Sequence, residues 1–301
     1  TRDQLGRDDA SFAKRLDADV PPLAERADLI AELHGLDVVL PLIHGVNGED
    51  GTLQGMLEMF GIPYAGCGVA ASAIGMDKAL QKELFERAGL SVARYLAVFS
   101  HEWRGGDGDV ARGIEQGVGY PAFVKPANGG SSVGVSKVRS REDLGDAMTL
   151  AFGIDRKVLV EEAVDGREVE AGVLGNDDIE ASAVGEVVAT GEFYDYSAKY
   201  LDDSARIVVP ADVPDEAAQR VREGAIRAFR AIDGQGFARV DFFLKRDGAL
   251  LINEINTLPG FRPVSMFPRL WAAVGVTYRD LITRIVDLAL GRFQQKEALG
   301  A

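Results

Sequence analysis

Apolar positions along this chain alternate between helical and strand spacing, and the changes of spacing outline the fold. Residues 22–34 repeat apolar side chains at helical intervals, and the run Asp37-Val-Val-Leu-Pro-Leu-Ile43 then reads as a buried strand. A glycine-rich loop leads to a helix near 51–60, a short strand at 62–65 and one long helix over about 69–88. Strand followed by helix in this rhythm predicts a parallel α/β layer. From 93 to 160 the order becomes strand, helix, strand, loop, strand, helix, strand, an α+β unit in which Gly105–Asp109 forms an exposed turn or helix start. Extended runs at 167–174 and 181–190 follow, then an aromatic loop, a helix at about 213–232, a hairpin, and closing helices near 265–274 and 277–290. The predicted domains are 1–76 (a partial N-terminal α/β unit), 77–160 and 161–301.

The hairpin carries the densest chemistry. Asp247-Gly248 is a strong turn signal, since a type I′ turn needs positive φ at both central residues. A two-residue loop there sets Arg246 opposite Ala249, Asp241 opposite Glu254 and Arg239 opposite Asn256. Side chains alternate along a strand, so these last four share one face, while Val240, Phe242, Leu244, Leu251 and Ile255 fill the other. Opposed carboxylates repel unless a cation neutralises them, and Asp, Glu and Asn oxygens suit Mg²⁺ better than zinc or copper. The alternative is a surface hairpin with solvated charges. A three-residue loop would shift the register by one and send Glu254 to the wrong face.

Composition narrows the classes. The 301 residues carry a net charge of −14 with no basic stripe, which argues against nucleic acid, although a local cluster of Lys, Arg and metal can still hold an anion. Cys67 is alone, so there is no disulfide framework, and a reducing cytoplasm is the expected compartment. No apolar run approaches the roughly 20 residues that span a bilayer, so no membrane is expected.

Five loops bear on the chemistry. Lys125-Pro-Ala-Asn-Gly-Gly-Ser-Ser-Val-Gly134 follows a buried strand at 121–124, and its N–H groups, hydroxyls and Lys125 could wrap phosphate; a flexible turn is the alternative. The same stretch contains G-x-S-x-G, but a hydrolase elbow needs a downstream His and a helix. The histidines here are His34, His44 and His101, and a strand follows at 135–138. Gly66-Cys-Gly-Val-Ala-Ala71 loosely matches a dinucleotide fingerprint but lacks its acidic partner and reads as a packing turn. His44 and Glu49 lie in a glycine-rich loop at a strand's carboxyl end, where ligands bind or the turn is structural. Glu192–Tyr200 could close over a site or cover a core. Ser265 is a natural N-cap, and the amide near Gly260 could join Arg239 as an oxyanion hole.

Taken in order, these motifs resemble the D-alanine–D-alanine ligases of the ATP-grasp superfamily, over about residues 36–290. The specific segments are His44–Gly51, Met76-Asp-Lys78, Val124-Lys-Pro126 with Gly130-Ser-Ser132, Phe193–Tyr196 with Lys199-Tyr200, and Asn253–Gly260. The resemblance implies an ATP-grasp fold, α/β and α+β, in a three-domain ligase that joins two D-alanine molecules through an acyl phosphate for peptidoglycan precursors. It implies that Lys78, Lys125, Ser131 and Ser132 bind ATP phosphates, that Glu161, Glu162 and Val164 line the adenine pocket, and that Glu168 holds the ribose. Asp241, Glu254 and Asn256 would bind two Mg²⁺ ions, with Mn²⁺ able to replace them. Arg239, Gly260, Ser131, Lys199 and Tyr200 would be catalytic, His44 and Glu49 would form the substrate-side wall, and Ser265 with Met266 would anchor the second substrate. A homodimer is implied as well. Nothing in residues 1–35 matches the family's opening Gly-Gly-x-Ser-x-Glu-His pattern, so either the numbering begins inside the native protein or the first domain is incomplete. Val46-Asn47 replaces a more usual Pro-Tyr or similar pair. A D-alanine–D-lactate ligase, which typically lacks the lid Tyr, and a non-catalytic nucleotide-binding module are the alternatives.

Overall fold

Two antiparallel sheets organise the chain. The computed structural model describes residues 29–103, 108–130, 133–189, 205–262 and 264–300. The first sheet has the order β1-β4-β2-β3, with β1 Tyr95–Phe99, β2 Ala122–Pro126, β3 Ser136–Val138 and β4 Lys157–Glu162. Val124, Val138, Val158 and Val160 form one face of it and pack on Ile114 of α5 (Gly108–Gly117) and Leu144 and Met148 of α6 (Arg141–Phe152). The strand–helix order expected over 93–160 is the one observed.

The second sheet has the order β7-β6-β5-β8-β9, with β5 Gly166–Gly175, β6 Glu180–Ala189, β7 Ala205–Val208, β8 Gly236–Lys245 and β9 Leu250–Asn256. Its apolar face, including Val169, Ala171, Val240 and Phe242, buries against Val221, Ala225 and Phe229 of α7 (Asp215–Ala231). On the opposite face, α8 (Met266–Ala272) and α9 (Tyr278–Ala298) cover one end through Phe237, Phe267, Trp271 and Leu281. Close approach makes this possible: a Cβ at Gly172 would sit 2.9 Å from Trp271 Nε1, and one at Gly185 2.7 Å from Met266 Sδ. Among the described residues no helix covers the other end of that face, which carries the charged residues.

The hairpin reaches its expected pairing by an unexpected route. Leu244 pairs with Leu250 and Lys245 N–H donates to Ala249 O, so the loop is the three residues Arg246, Asp247 and Gly248, not two. Gly248 has φ +82, the left-handed geometry that closes such a loop. A register shift between Asp241 and Phe242 then leaves Asn253 as an extra residue. This bulge undoes the slip, so Asp241 does face Glu254 and Arg239 does face Asn256. Between the turn and the bulge the faces are exchanged: Ile252 is buried in the core, and Leu251, expected there, is only half-buried.

Two other expectations change. The helix expected over 69–88 is two helices, α3 Val69–Met76 and α4 Lys78–Arg87. Asp77 stands between them in extended conformation, and its carboxylate accepts from the Ala79 and Leu80 N–H groups, a strong N-cap that restarts the helix. Among the described residues the run 37–43 forms one isolated parallel bridge, Val39 to Tyr64, and Leu42 and Ile43 are each 49% exposed. Without paired neighbours on both sides an apolar run does not become a buried parallel strand. Upstream of α2 (Thr52–Met59), the helix expected over 22–34 is described only as α1, Leu29–His34.

Candidate active site

The open end of the five-stranded sheet forms the floor of a cleft of about 860 Å³ lined by His44, Glu49, Lys78, Gly129, Gly130, Glu168, Glu170, Arg239, Asp241, Glu254, Asn256, Gly260, Ser265 and Met266. Most of the proposed site residues therefore meet in one place although they span more than two hundred positions of sequence. The β8–β9 pairing places Asp241 beside Glu254, and Arg239 donates to both Asp241 oxygens at 2.8 and 2.7 Å. Burial works against the Arg239 charge, but Asp241 and then Glu170 hold its pKa well above the usual guanidinium value. Lys78 Nζ donates to Gly129 O at 2.6 Å and lies 3.6 Å from Glu254 Oε2, so it ties the glycine loop to the hairpin.

Glu170, Asp241 and Glu254 gather around Arg239 and Lys78 at this end of the cleft. Their hard oxygens fit a divalent cation. Among the described residues no three His, Cys, Asp or Glu side chains converge on one point, so a metal here would rest on Asp241, Glu254 and Asn256 with the remaining ligands from substrate. Asn256 Oδ1 already accepts from Leu258 N–H at 3.0 Å, which fixes its orientation and leaves one lone pair.

A second charged cluster lies behind the glycine loop. Glu161 is 3% exposed and pairs through one oxygen with Lys82 and through the other with Lys125, at 2.5 Å for the latter. Burial opposes ionisation of Glu161, yet Lys125 and then Lys82 pull its pKa below the usual range. Burial also works against Lys125, but Glu161 and Glu254 leave its pKa raised, whereas burial holds that of Lys82 down. Lys82 is fully buried, 5.7 Å from the Tyr95 ring, and was not among the expected site residues. A signal existed, because Lys82 sits one helical turn beyond Lys78 on the same face of α4.

The structure separates several other expected residues. Lys125, Glu161, Glu162 and Val164 do not line the cleft, and the Glu162 carboxylate is held by Arg94 through Nε and the backbone N–H at 2.7 and 2.9 Å. Ser265 occupies the N-cap position of α8, but its side chain does not cap the helix; Oγ accepts from Arg262 N–H at 3.2 Å instead. His44 Nδ1 lies 3.7 Å from Glu49 Oε1, and this contact, opposed by burial, raises the histidine's pKa. Gly66–Ala71 is a packing turn, as expected: Cys67 is buried there, its Sγ 3.7 Å from Phe237 O, and burial pushes its thiol up to about 12. Ser131, Ser132, Lys199 and Tyr200 lie outside the described residues.

Comparison with known proteins gives this geometry a context. The family model described as D-ala D-ala ligase C-terminus matches residues 84–287, and that described as D-ala D-ala ligase N-terminus matches 7–67, which carries the likeness further back than the motifs from residue 36. A D-alanine–D-alanine ligase of Geobacillus thermodenitrificans is 53% identical over 264 residues, covering 88% of this chain and 72% of the relative. The structure of the D-alanine–D-alanine ligase from Coxiella burnetii superposes with a TM-score of 0.78 at 33% identity, over 87% of this chain and 70% of that one. The D-alanine–D-alanine ligase from Bacillus anthracis complexed with ATP superposes with a TM-score of 0.76 at 29% identity, over 91% of this chain and 86% of that one. Sequence and fold agree, and the chain belongs to the D-alanine–D-alanine ligase family, with the ATP-grasp fold.

Proposed function

We propose that the cleft joins two D-alanine molecules at the expense of ATP, through an acyl phosphate. The observation that carries the reading is the meeting of Lys78, the glycine loop, Arg239, Asp241 and Glu254 in one cleft of a chain belonging to this family. A carboxylate is a poor electrophile, so its oxygen first attacks the γ-phosphorus of ATP and ADP leaves. The amine of the second D-alanine then attacks the acyl carbon, loses a proton and expels phosphate.

Negative charge grows on oxygen in both steps, so fixed donors aimed at those oxygens supply most of the acceleration. Lys78 and Lys125 meet the phosphates, with Ser131 and Ser132 closing over them, while Glu161, Glu162 and Val164 hold adenine and Glu168 the ribose. Lys125, Glu161, Glu162 and Val164 stand outside the cleft, so these four contacts rest on the family resemblance and not on the cleft's geometry. Two Mg²⁺ ions on Asp241, Glu254 and Asn256, replaceable by Mn²⁺, would neutralise phosphate charge and polarise the transferred group. Arg239 and the Gly260 amide stabilise the tetrahedral intermediate. His44 and Glu49 form the wall for the first D-alanine, and Ser265 and Met266 anchor the carboxylate of the second. Lys199 and Tyr200 belong to the lid that excludes water, which would otherwise hydrolyse the acyl phosphate.

The division into 1–76, 77–160 and 161–301 matches this scheme, with nucleotide held between the last two units. We place the enzyme in the cytoplasm as a homodimer; no helix among the described residues is long and apolar enough to cross a membrane. Incubating the protein with D-alanine, D-lactate, ATP and Mg²⁺ tests the reading. Phosphate release that depends on D-alanine, with D-alanyl-D-alanine as the main product, is expected. Mostly depsipeptide would reassign the second substrate, and release independent of D-alanine would favour a nucleotide-binding module.

A further inference from the structure

Glu170, Asp241 and Glu254 form one cross-strand row, Glu170 pairing with Asp241 between β5 and β8, and Asp241 with Glu254 between β8 and β9. Glu170 and Asp241 are 8% and 9% exposed. Directly opposed like charges destabilise a ladder, so a buried cation must separate them. Arg239 does so unevenly. Its Nε–H donates to Asp241 Oδ1 at 2.8 Å and Nη2 to Oδ2 at 2.7 Å, while Glu170 Oε2 lies 2.8 Å from the same Nε. One hydrogen cannot be given fully to two acceptors, so Glu170 and Asp241 compete for it. Meanwhile each Asp241 oxygen gives one lone pair to the guanidinium and keeps another, so a metal ligated there would compete with Arg239 for the same carboxylate.

We propose that Glu170 is a positioning residue that takes up the Arg239 guanidinium when Asp241 turns to a divalent cation. Without a second acceptor, release from Asp241 would leave a buried guanidinium unpaired, a costly state that would resist metal binding. With Glu170 already in contact, the guanidinium shifts between two carboxylates and keeps its place in the cleft wall. Glu170 is not itself a ligand, because Arg239 stands between it and Asp241 and no three acids converge among the described residues. The inference rests on the metal reading given above, and the controls separate the two.

The test is Mn²⁺ binding, read as free Mn²⁺ by electron paramagnetic resonance, with the whole chain and a non-hydrolysable ATP analogue. Asp241→Asn should weaken Mn²⁺ binding by at least tenfold. Glu170→Gln should weaken it about 10-fold, the usual scale for a group that orients a ligand, with metal-free nucleotide affinity and melting temperature near wild type. Arg239→Met removes the competitor and should leave Mn²⁺ binding as tight or tighter, and adding Glu170→Gln to it should change nothing further. Wild-type Mn²⁺ affinity in Glu170→Gln, with Asp241→Asn impaired, overturns the role of Glu170 and leaves the metal site standing. An unimpaired Asp241→Asn removes both. A fall in Arg239→Met, or a further fall on adding Glu170→Gln, also overturns the proposal, the latter by making Glu170 a ligand. Should Glu170→Gln fail to fold, the Arg239→Met arm still decides.

Discussion

The two charged clusters are opposites in composition. Around Glu161 two ammonium groups share one carboxylate, and around Arg239 three carboxylates share a guanidinium and the Lys78 ammonium. Among the described residues cations outnumber the carboxylate in the first, and carboxylates outnumber the cations in the second, and both are largely buried. Such a balance favours an occupant of the opposite sign. Under the proposed reading an anion would meet the lysine end and a cation the acidic end. Lys78 ties the acidic end to the glycine loop, touching Glu254 on one side and Gly129 O on the other. A polyphosphate with its metal satisfies both ends at once, which neither cluster would predict alone.

The most direct way to break the contrast is to neutralise the acidic end. Glu254→Gln removes one negative charge from that cluster without changing its size and should lower turnover by about 10³-fold or more, several kcal/mol of lost charge stabilisation. Its melting temperature should move little, since the Glu254 side chain is 26% exposed. Steady-state phosphate release and a thermal melt check both; retained turnover would remove Glu254 from the metal site.

Neutralising the lysine end has a different signature. Lys125→Ala leaves Lys82 and Glu161 as an internally balanced pair and should weaken ATP binding by about 100-fold, or ~2.7 kcal/mol, with a smaller effect on turnover at saturation. Calorimetric titration with a non-hydrolysable nucleotide is the measurement. An unchanged affinity would mean that the lysine end faces something other than ATP.

How far the sequence revealed these clusters depended on whether their residues were close together in it. The hairpin acids were legible because period-two alternation is rigid, and the pairing of Asp241 with Glu254 was right. The route was not, because a bulge at Asn253 has no compositional signal and happens to cancel the longer turn. Glu170 escaped notice despite standing two residues from Glu168 on the same strand face, because its meaning depends on a neighbour seventy positions away. Lys82 escaped too, since a lysine in an amphipathic helix ordinarily lies in solvent, and only tertiary packing buries it. The break at Asp77 was readable in principle as an N-cap, but the apolar pattern runs through it unbroken.

A third variant tests the apolar end of the same sheet face against its charged end. At Gly185 an added Cβ would stand 2.7 Å from Met266 Sδ and 2.8 Å from a Leu270 methyl. Gly185→Ala should therefore push α8 away from the sheet at a cost of about 1–3 kcal/mol. Because Ser265 and Met266 open that helix, KM for the second D-alanine should rise about tenfold while ATP affinity stays near wild type. A loss of ATP affinity of the same size would show that the two ends are not mechanically separate.

The smallest effect concerns a titrating group near the cleft mouth. Glu49 holds the His44 pKa above 6.5, although burial opposes it. A histidine whose pKa is raised on folding adds stability that is complete below its unfolded value and disappears as pH climbs through the folded one. The imidazolium should therefore persist to higher pH than in a free histidine, on the substrate-side wall proposed for the first D-alanine. With a side chain 47% exposed, the contact is partly screened, so the change should be modest, about two- to fivefold in KM for that substrate. KM should rise on the alkaline side of the raised value, and His44→Gln should show the higher KM at every pH. A wild-type profile that persists in His44→Gln would move the titration to another group and leave Glu49 without a role through this histidine.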